Sequence, residues 1–218
     1  MKRPGVQGVA WGRYPAIHGI AALTVLISVV AMAYPGVGDA AYAAGFIPAA
    51  WGAEGSLQPI PSLLTPVTSA FLHGGMLHLL FNMVMLVYCG RPVEAALGDR
   101  FIIALYGIGI YSSALAQWAV DPVSMTPVIG ASGAASAIVG AYSAMFTQQK
   151  VGPIGPLSAY MVRILWLAAA WIGLQLLFGV AYDNSELGGG IAIWAHIGGF
   201  LAGLFLARPL LKRRYRVR

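Results

Sequence analysis

Six apolar runs, each near the length that carries a helix across a bilayer, divide this chain of 218 residues. They extend over about Ile17 to Tyr34, Phe71 to Cys89, Phe101 to Val120, Gly130 to Phe146, Ala159 to Ala181 and Ile191 to Leu211. A helix rises about 1.5 Å per residue, so about 20 apolar residues cover roughly 30 Å of hydrocarbon. No water reaches backbone N–H and C=O groups there, and a helix satisfies them within itself. The expected fold class is therefore an all-α membrane protein: a bundle of six transmembrane helices with a long outer loop between the first and second spans. Composition agrees, because 59% of residues are hydrophobic and only 9% are charged, against about a quarter in soluble domains. The first run also resembles a signal peptide, with a basic start and Ala41-Tyr42-Ala43 beyond it. It is longer than a signal core, so a retained span is expected.

The net charge of +6 does not point to nucleic acid, because the basic residues sit in short segments between apolar runs. When loops are assigned alternately to the two sides, all thirteen Lys and Arg fall on the side of the termini. Five of the seven carboxylates (Asp39, Glu54, Asp121, Asp183 and Glu186) fall on the other. The positive-inside rule then makes both termini cytoplasmic. The expected organisation is a basic N-terminus at 1–16, a membrane domain at 17–211 with a core at about 61–209, and a basic tail at 212–218. Arg91, Glu94, Asp99 and Arg100 are read as a short polar connection after span two, and Tyr182 to Gly190 as a mobile outer loop. The lone Cys89 excludes an intrachain disulfide, and the lack of a repeat argues against a transporter built from duplicated halves.

Strong hydrogen-bonding side chains are rare inside the runs and concentrate in three places. In the fourth run Ser132, Ser136 and Gly140 recur every four residues, giving a nearly smooth stripe on a helix. In the sixth, His196, Gly199 and Gly203 head a second such stripe. Small-residue stripes let helices approach backbone to backbone in lipid, so Ser132 and His196 are expected to meet. His78 and Asn82 lie four apart on one face of span two, with His73 before them across Gly74-Gly75. With this direction of travel all lie in the outer half of the membrane. A serine beside a histidine makes a nucleophile and a general base. His78, Asn82 and the backbone N–H of Ser132 are candidate donors to the oxyanion of a tetrahedral intermediate. No carboxylate lies at that level, which predicts a dyad rather than a triad.

The stretch from Phe71 to Asn82, the motif Gly130-Ala131-Ser132-Gly133, and Ala195-His196 followed by Gly199 and Gly203 resemble the motifs of the rhomboid family. Glu94 with Gly98 resembles the family's turn after span two. The resemblance covers roughly Pro61 to Pro209 and implies an intramembrane serine protease, with Ser132 as nucleophile and His196 as base. It also implies His78, Asn82 and the Ser132 N–H as the oxyanion hole, with His73, Gly130, Gly133, Gly199 and Gly203 in support. Many members carry Trp-Arg in the first outer loop where this chain has Leu64-Thr65.

Three function classes follow. The first cleaves peptide bonds in or next to transmembrane segments of membrane proteins, in a bacterial inner (plasma) membrane with the active site open to the outer face. Its partners are transmembrane substrates and the lipid bilayer, with no nucleic acid, metal or cofactor. The second is an inactive relative that binds membrane clients, although such relatives usually lose the serine or histidine that this chain keeps. The third is a metal transporter or metalloenzyme built on His73, His78 and His196. It would lack a membrane carboxylate and any His-Glu-x-x-His pattern.

Overall fold

The computed structural model describes residues 14–34, 36–51, 58–146, 151–182 and 192–216. The basic segment before Tyr14, the connection at Gln148 to Lys150 and the polar loop after Tyr182 lie outside the described residues. Among the described residues there are eight α-helices: α1 (Pro15–Ala33), α2 (Val37–Ala44), α3 (Thr65–Ser69), α4 (Met76–Leu97), α5 (Asp99–Val120), α6 (Ser132–Phe146), α7 (Ala159–Tyr182) and α8 (Ile193–Arg216). A 3-10 turn at Pro48–Ala50 sits between α2 and α3.

Four helices, α1, α4, α5 and α8, are long and apolar enough to cross a membrane. The expectation of six spans meets these four. The other two runs form α6 and α7, and the side chains of α7 are described only through the apolar stretch Ala159–Gly173. The described part of α6 has fifteen residues, about 22 Å. Residues 121–131 before it are irregular, so the helix opens only at Ser132.

α6 is the centre of the bundle, with every residue from Ser132 to Ala141 buried. Its most extensive packing is against α8, followed by α5 and α4. The α6–α8 seam is backbone on backbone. A Cβ at Gly140 would collide with the Phe200 carbonyl, one at Gly199 with the Gly133 carbonyl, and one at Gly203 with the Ala137 carbonyl. The seam on α6 is thus Gly133, Ala137 and Gly140, a correction to the expected stripe of Ser132, Ser136 and Gly140. Glycine and alanine permit closer approach than serine, so the serines take the flanks of the seam. Ser136 faces α7, where its Oγ accepts from Trp171 Nε1 at 2.7 Å and donates to the Ser132 carbonyl at 2.7 Å.

The polar connection expected at Arg91 to Arg100 is also corrected. α4 continues through Pro92 to Leu97, so Arg91 and Glu94 are helical. Glu94 is only 2% exposed, and its carboxylate oxygens accept the N–H groups of Ala16 at 3.1 Å and Ile17 at 2.8 Å. These donors open α1, where N–H groups have no intrahelical acceptor and the helix dipole favours negative charge. The carboxylate expected in a polar connection is thus the cap of another helix. The first basic residues of the expected tail at 212–218 are helical. α8 stays helical to Arg216, and Arg214 Nη1 donates to the Ala95 carbonyl at 3.0 Å near the C-terminus of α4.

The segment after α2 is tied to the segment leading into α6. Phe46 and Val128 exchange backbone hydrogen bonds of 3.0 and 2.7 Å, and the Ala49 N–H donates to the Ser124 carbonyl at 3.0 Å. At the Leu64-Thr65 position, Leu64 is exposed. Thr65 is buried and its hydroxyl donates to the Ser62 carbonyl at 2.7 Å.

Candidate active site

Ser132 opens α6 and His196 lies in the first turn of α8. The glycine seam draws these two helix starts together, leaving Ser132 Oγ and His196 Nε2 2.8 Å apart. Both residues are buried, at 8% and 6% exposure. The approach to the serine is fixed by its backbone. Gly130 has φ +125°, a conformation that glycine adopts without steric cost, and its N–H donates to the Ser69 carbonyl at 2.9 Å. The Ala131 N–H donates to His73 Nε2 at 3.2 Å.

His78 stands over Gly130, where an added Cβ would lie 3.0 Å from both His78 Cε1 and Nε2 and 3.6 Å from Ser132 Oγ. Gly130 therefore keeps open a niche shared by the His78 ring and the serine hydroxyl. A long contact of 3.4 Å from the Gly74 N–H reaches His78 Nδ1, the nitrogen away from that niche. With Nδ1 accepting, a neutral ring carries its proton on Nε2 and presents a donor toward the serine. Asn82, one turn further along α4, is fully buried. Its Nδ2 donates to the His78 carbonyl at 2.9 Å, and its Oδ1 has no partner among the described residues. The structure thus brings Ser132, His196, Gly130 and His78 together, while the hydrogen bond of Asn82 stays within its own helix. Gly133, Gly199 and Gly203 form the seam, and His73 packs edge-on to His78 with centroids 4.9 Å apart.

A hydroxyl bonded to an imidazole, beside a second imidazole and a helix N-terminus, is suited to acyl transfer. The first N–H groups of α6 have no intrahelical acceptor and favour an anion. Among the described residues no three His, Cys, Asp or Glu side chains stand close enough to hold a metal ion. Both ring nitrogens of His73 already have protein partners.

Residues 61–213 match the family model described as the rhomboid domain, which covers well over half of the chain. The chain belongs to the rhomboid family. Among curated proteins this rhomboid is similar to RHOMBOID-like protein 5 of Arabidopsis thaliana, with 34% identity over 148 residues, 67% of this chain and 44% of that protein. It is similar to Rhomboid protease GlpG of Pectobacterium atrosepticum, with 31% identity over 139 residues, 63% of this chain and 45% of that protein. Rhomboid protease GlpG of Serratia proteamaculans is 29% identical over 143 residues, 65% of this chain and 46% of that protein. The chain spans less than half the length of these relatives. With its apolar helices, the family membership makes this rhomboid an integral membrane protein.

Three features of the site and its surroundings escaped the sequence reading. Ser28 of α1 holds His73 at 2.8 Å. Trp171 of α7 donates to Ser136 and stacks on Phe81, with ring centroids 5.9 Å apart. Glu94 caps α1. Ser28 had a visible signal, because Thr24 and Ser28 lie four apart in the first apolar run, and the structure buries both fully.

Proposed function

We propose that this rhomboid is an intramembrane serine endopeptidase, cleaving peptide bonds in or next to transmembrane segments of other membrane proteins. The observation that carries the reading is the 2.8 Å contact between Ser132 Oγ and His196 Nε2 at two adjoining helix starts. Similarity to relatives named Rhomboid protease GlpG supports it.

In this mechanism His196 Nε2 is unprotonated and accepts the Ser132 hydroxyl proton as Oγ attacks the scissile carbonyl carbon. The carbonyl π electrons move to oxygen, and His78 Nε2–H with the Ser132 N–H donates to the oxyanion. Asn82 has two amide N–H groups, so one remains for the oxyanion while the other holds the His78 carbonyl. Collapse breaks the C–N bond, and His196 returns its proton to the leaving amine. Water, deprotonated by His196, then attacks the acyl carbon; the C–Oγ bond breaks, His196 returns the proton to Ser132 Oγ, and the carboxylic acid product leaves.

The accompanying topology has six spans (α1, α4, α5, α6, α7 and α8) within 17–211, between a basic N-terminus at 1–16 and a basic tail at 212–218. Both termini are cytoplasmic, and the site faces the outer side of a bacterial inner membrane. The irregular approach and the opening of α6 only at Ser132 put its N-terminus within the outer half of the membrane, where water can enter from outside. The test is reaction of the purified protein with a fluorophosphonate, followed by mass spectrometry. An adduct on Ser132 that disappears in His196→Ala supports the proposal, and no adduct on the wild type overturns it in favour of a client-binding role.

A further inference from the structure

α1 lies outside residues 61–213, the part matched by the family model, yet one of its side chains reaches the site. Ser28 is fully buried, and its Oγ lies 2.8 Å from His73 Nδ1 and 2.8 Å from the Phe71 carbonyl oxygen. Hydrogen-bond accounting leaves one arrangement of protons. The Phe71 carbonyl can only accept, so the single hydroxyl proton of Ser28 goes to it. Ser28 Oγ must then accept from His73, which places a proton on Nδ1. At the other end of the ring the Ala131 N–H can only donate, so His73 Nε2 must be bare. The chain runs from the Ala131 N–H through His73 Nε2 and Nδ1–H to Ser28 Oγ–H and the Phe71 carbonyl, with every group satisfied.

We infer that Ser28 is a positioning residue for the proposed reaction: it fixes the His73 tautomer that holds the Ala131 N–H and so sets the backbone carrying Ser132. The inference rests on the protease reading above. Without the Ser28 hydroxyl, Nδ1–H loses its acceptor inside an apolar bundle, and the other tautomer becomes competitive. In that tautomer Nε2–H faces the Ala131 N–H, donor against donor, and the residue before the nucleophile is pushed away. Ser28 touches no substrate, so the loss falls on turnover and not on substrate affinity.

The test compares wild type with Ser28→Thr, which keeps the hydroxyl, and Ser28→Val, its isostere without one. Three readouts are taken: the rate of fluorophosphonate labelling at Ser132, kcat and KM on a single-span substrate, and imidazole nitrogen chemical shifts of His73 in nitrogen-15-labelled protein. Ser28→Thr should label at close to the wild-type rate. Ser28→Val should label about ten-fold more slowly with KM unchanged, as expected for loss of one buried hydrogen bond of about 1.4 kcal/mol. The shifts should report an unprotonated Nε2 in wild type and Ser28→Thr, and a mixture in Ser28→Val. Equal labelling rates for Thr and Val at position 28, or a His73 tautomer that does not change, would overturn the inference. A wild type that does not label would overturn the protease reading instead.

Discussion

Gly203→Ala adds one methyl group two helical turns from the dyad and touches no reacting atom. A Cβ at residue 203 would lie 2.6 Å from the carbonyl carbon of Ala137 and 2.8 Å from its Cα, with the Ala137 oxygen closer still. Ordinary contact begins near 3.4 Å and the oxygen, as the nearest atom, sets the least displacement, so the α6–α8 seam must open by more than about 1 Å at this point. All three obstructing atoms are backbone, so no side chain can rotate away, and overpacking of this kind typically costs about 1–3 kcal/mol. His196 is seven residues N-terminal on the same helix, about 10 Å away, and a stiff helix carries the displacement to it. A misplacement near 1 Å can lower a rate by about 10²-fold. Gly203→Ala should therefore slow fluorophosphonate labelling of Ser132 by on the order of 10² and lower the melting temperature in detergent. The control is Gly107→Ala on α5, where an added Cβ meets no heavy atom within 4 Å. It should label normally and gain up to about 1 kcal/mol of helix stability. If the two alanine variants match in rate and melting temperature, the backbone seam does not position the dyad.

Glu94→Gln leaves a single acceptor for two buried N–H donors of α1 and should cost about 1–3 kcal/mol, read by thermal unfolding, with labelling of the folded fraction unchanged. With Cys89 replaced, single cysteines at positions 55 and 185 should react with an impermeant maleimide on intact cells and one at position 149 should not; the reverse pattern would invert the topology. Asn82→Ala and His78→Ala should each depress turnover by on the order of 10² with a smaller effect on KM, as for loss of an oxyanion donor. Equal cleavage and labelling rates in wild type and both variants would leave the hole to backbone groups alone.

The helical membrane fold and the meeting of Ser132 with His196 were legible because each has a strong local signal. Long apolar runs can be satisfied only within a helix, and small residues at helical spacing mark where helices approach. The register of the seam was not legible. Ser136 and Gly133 are both small, and choosing between them requires knowing that Trp171 supplies Ser136 with a donor across 35 residues. The end of α4 was misread because Arg91 and Glu94 look like a solvated connection. The buried position of Glu94 depends on the N-terminus of α1, 77 residues away in sequence, needing an acceptor. The role of His73 was equally hidden, since its partners lie on α1 and in the approach to α6, and no local pattern joins them.

Cleavage of a single-span membrane substrate, with the protein reconstituted in liposomes, tests the proposed chemistry most directly. Wild type should cut the substrate in or beside its transmembrane segment. Ser132→Ala and His196→Ala should each lose on the order of 10⁴–10⁶ in rate, and the double variant should be no slower than either, because a nucleophile and its base act as a unit. Cleavage at the wild-type rate by Ser132→Ala or by His196→Ala would contradict the dyad.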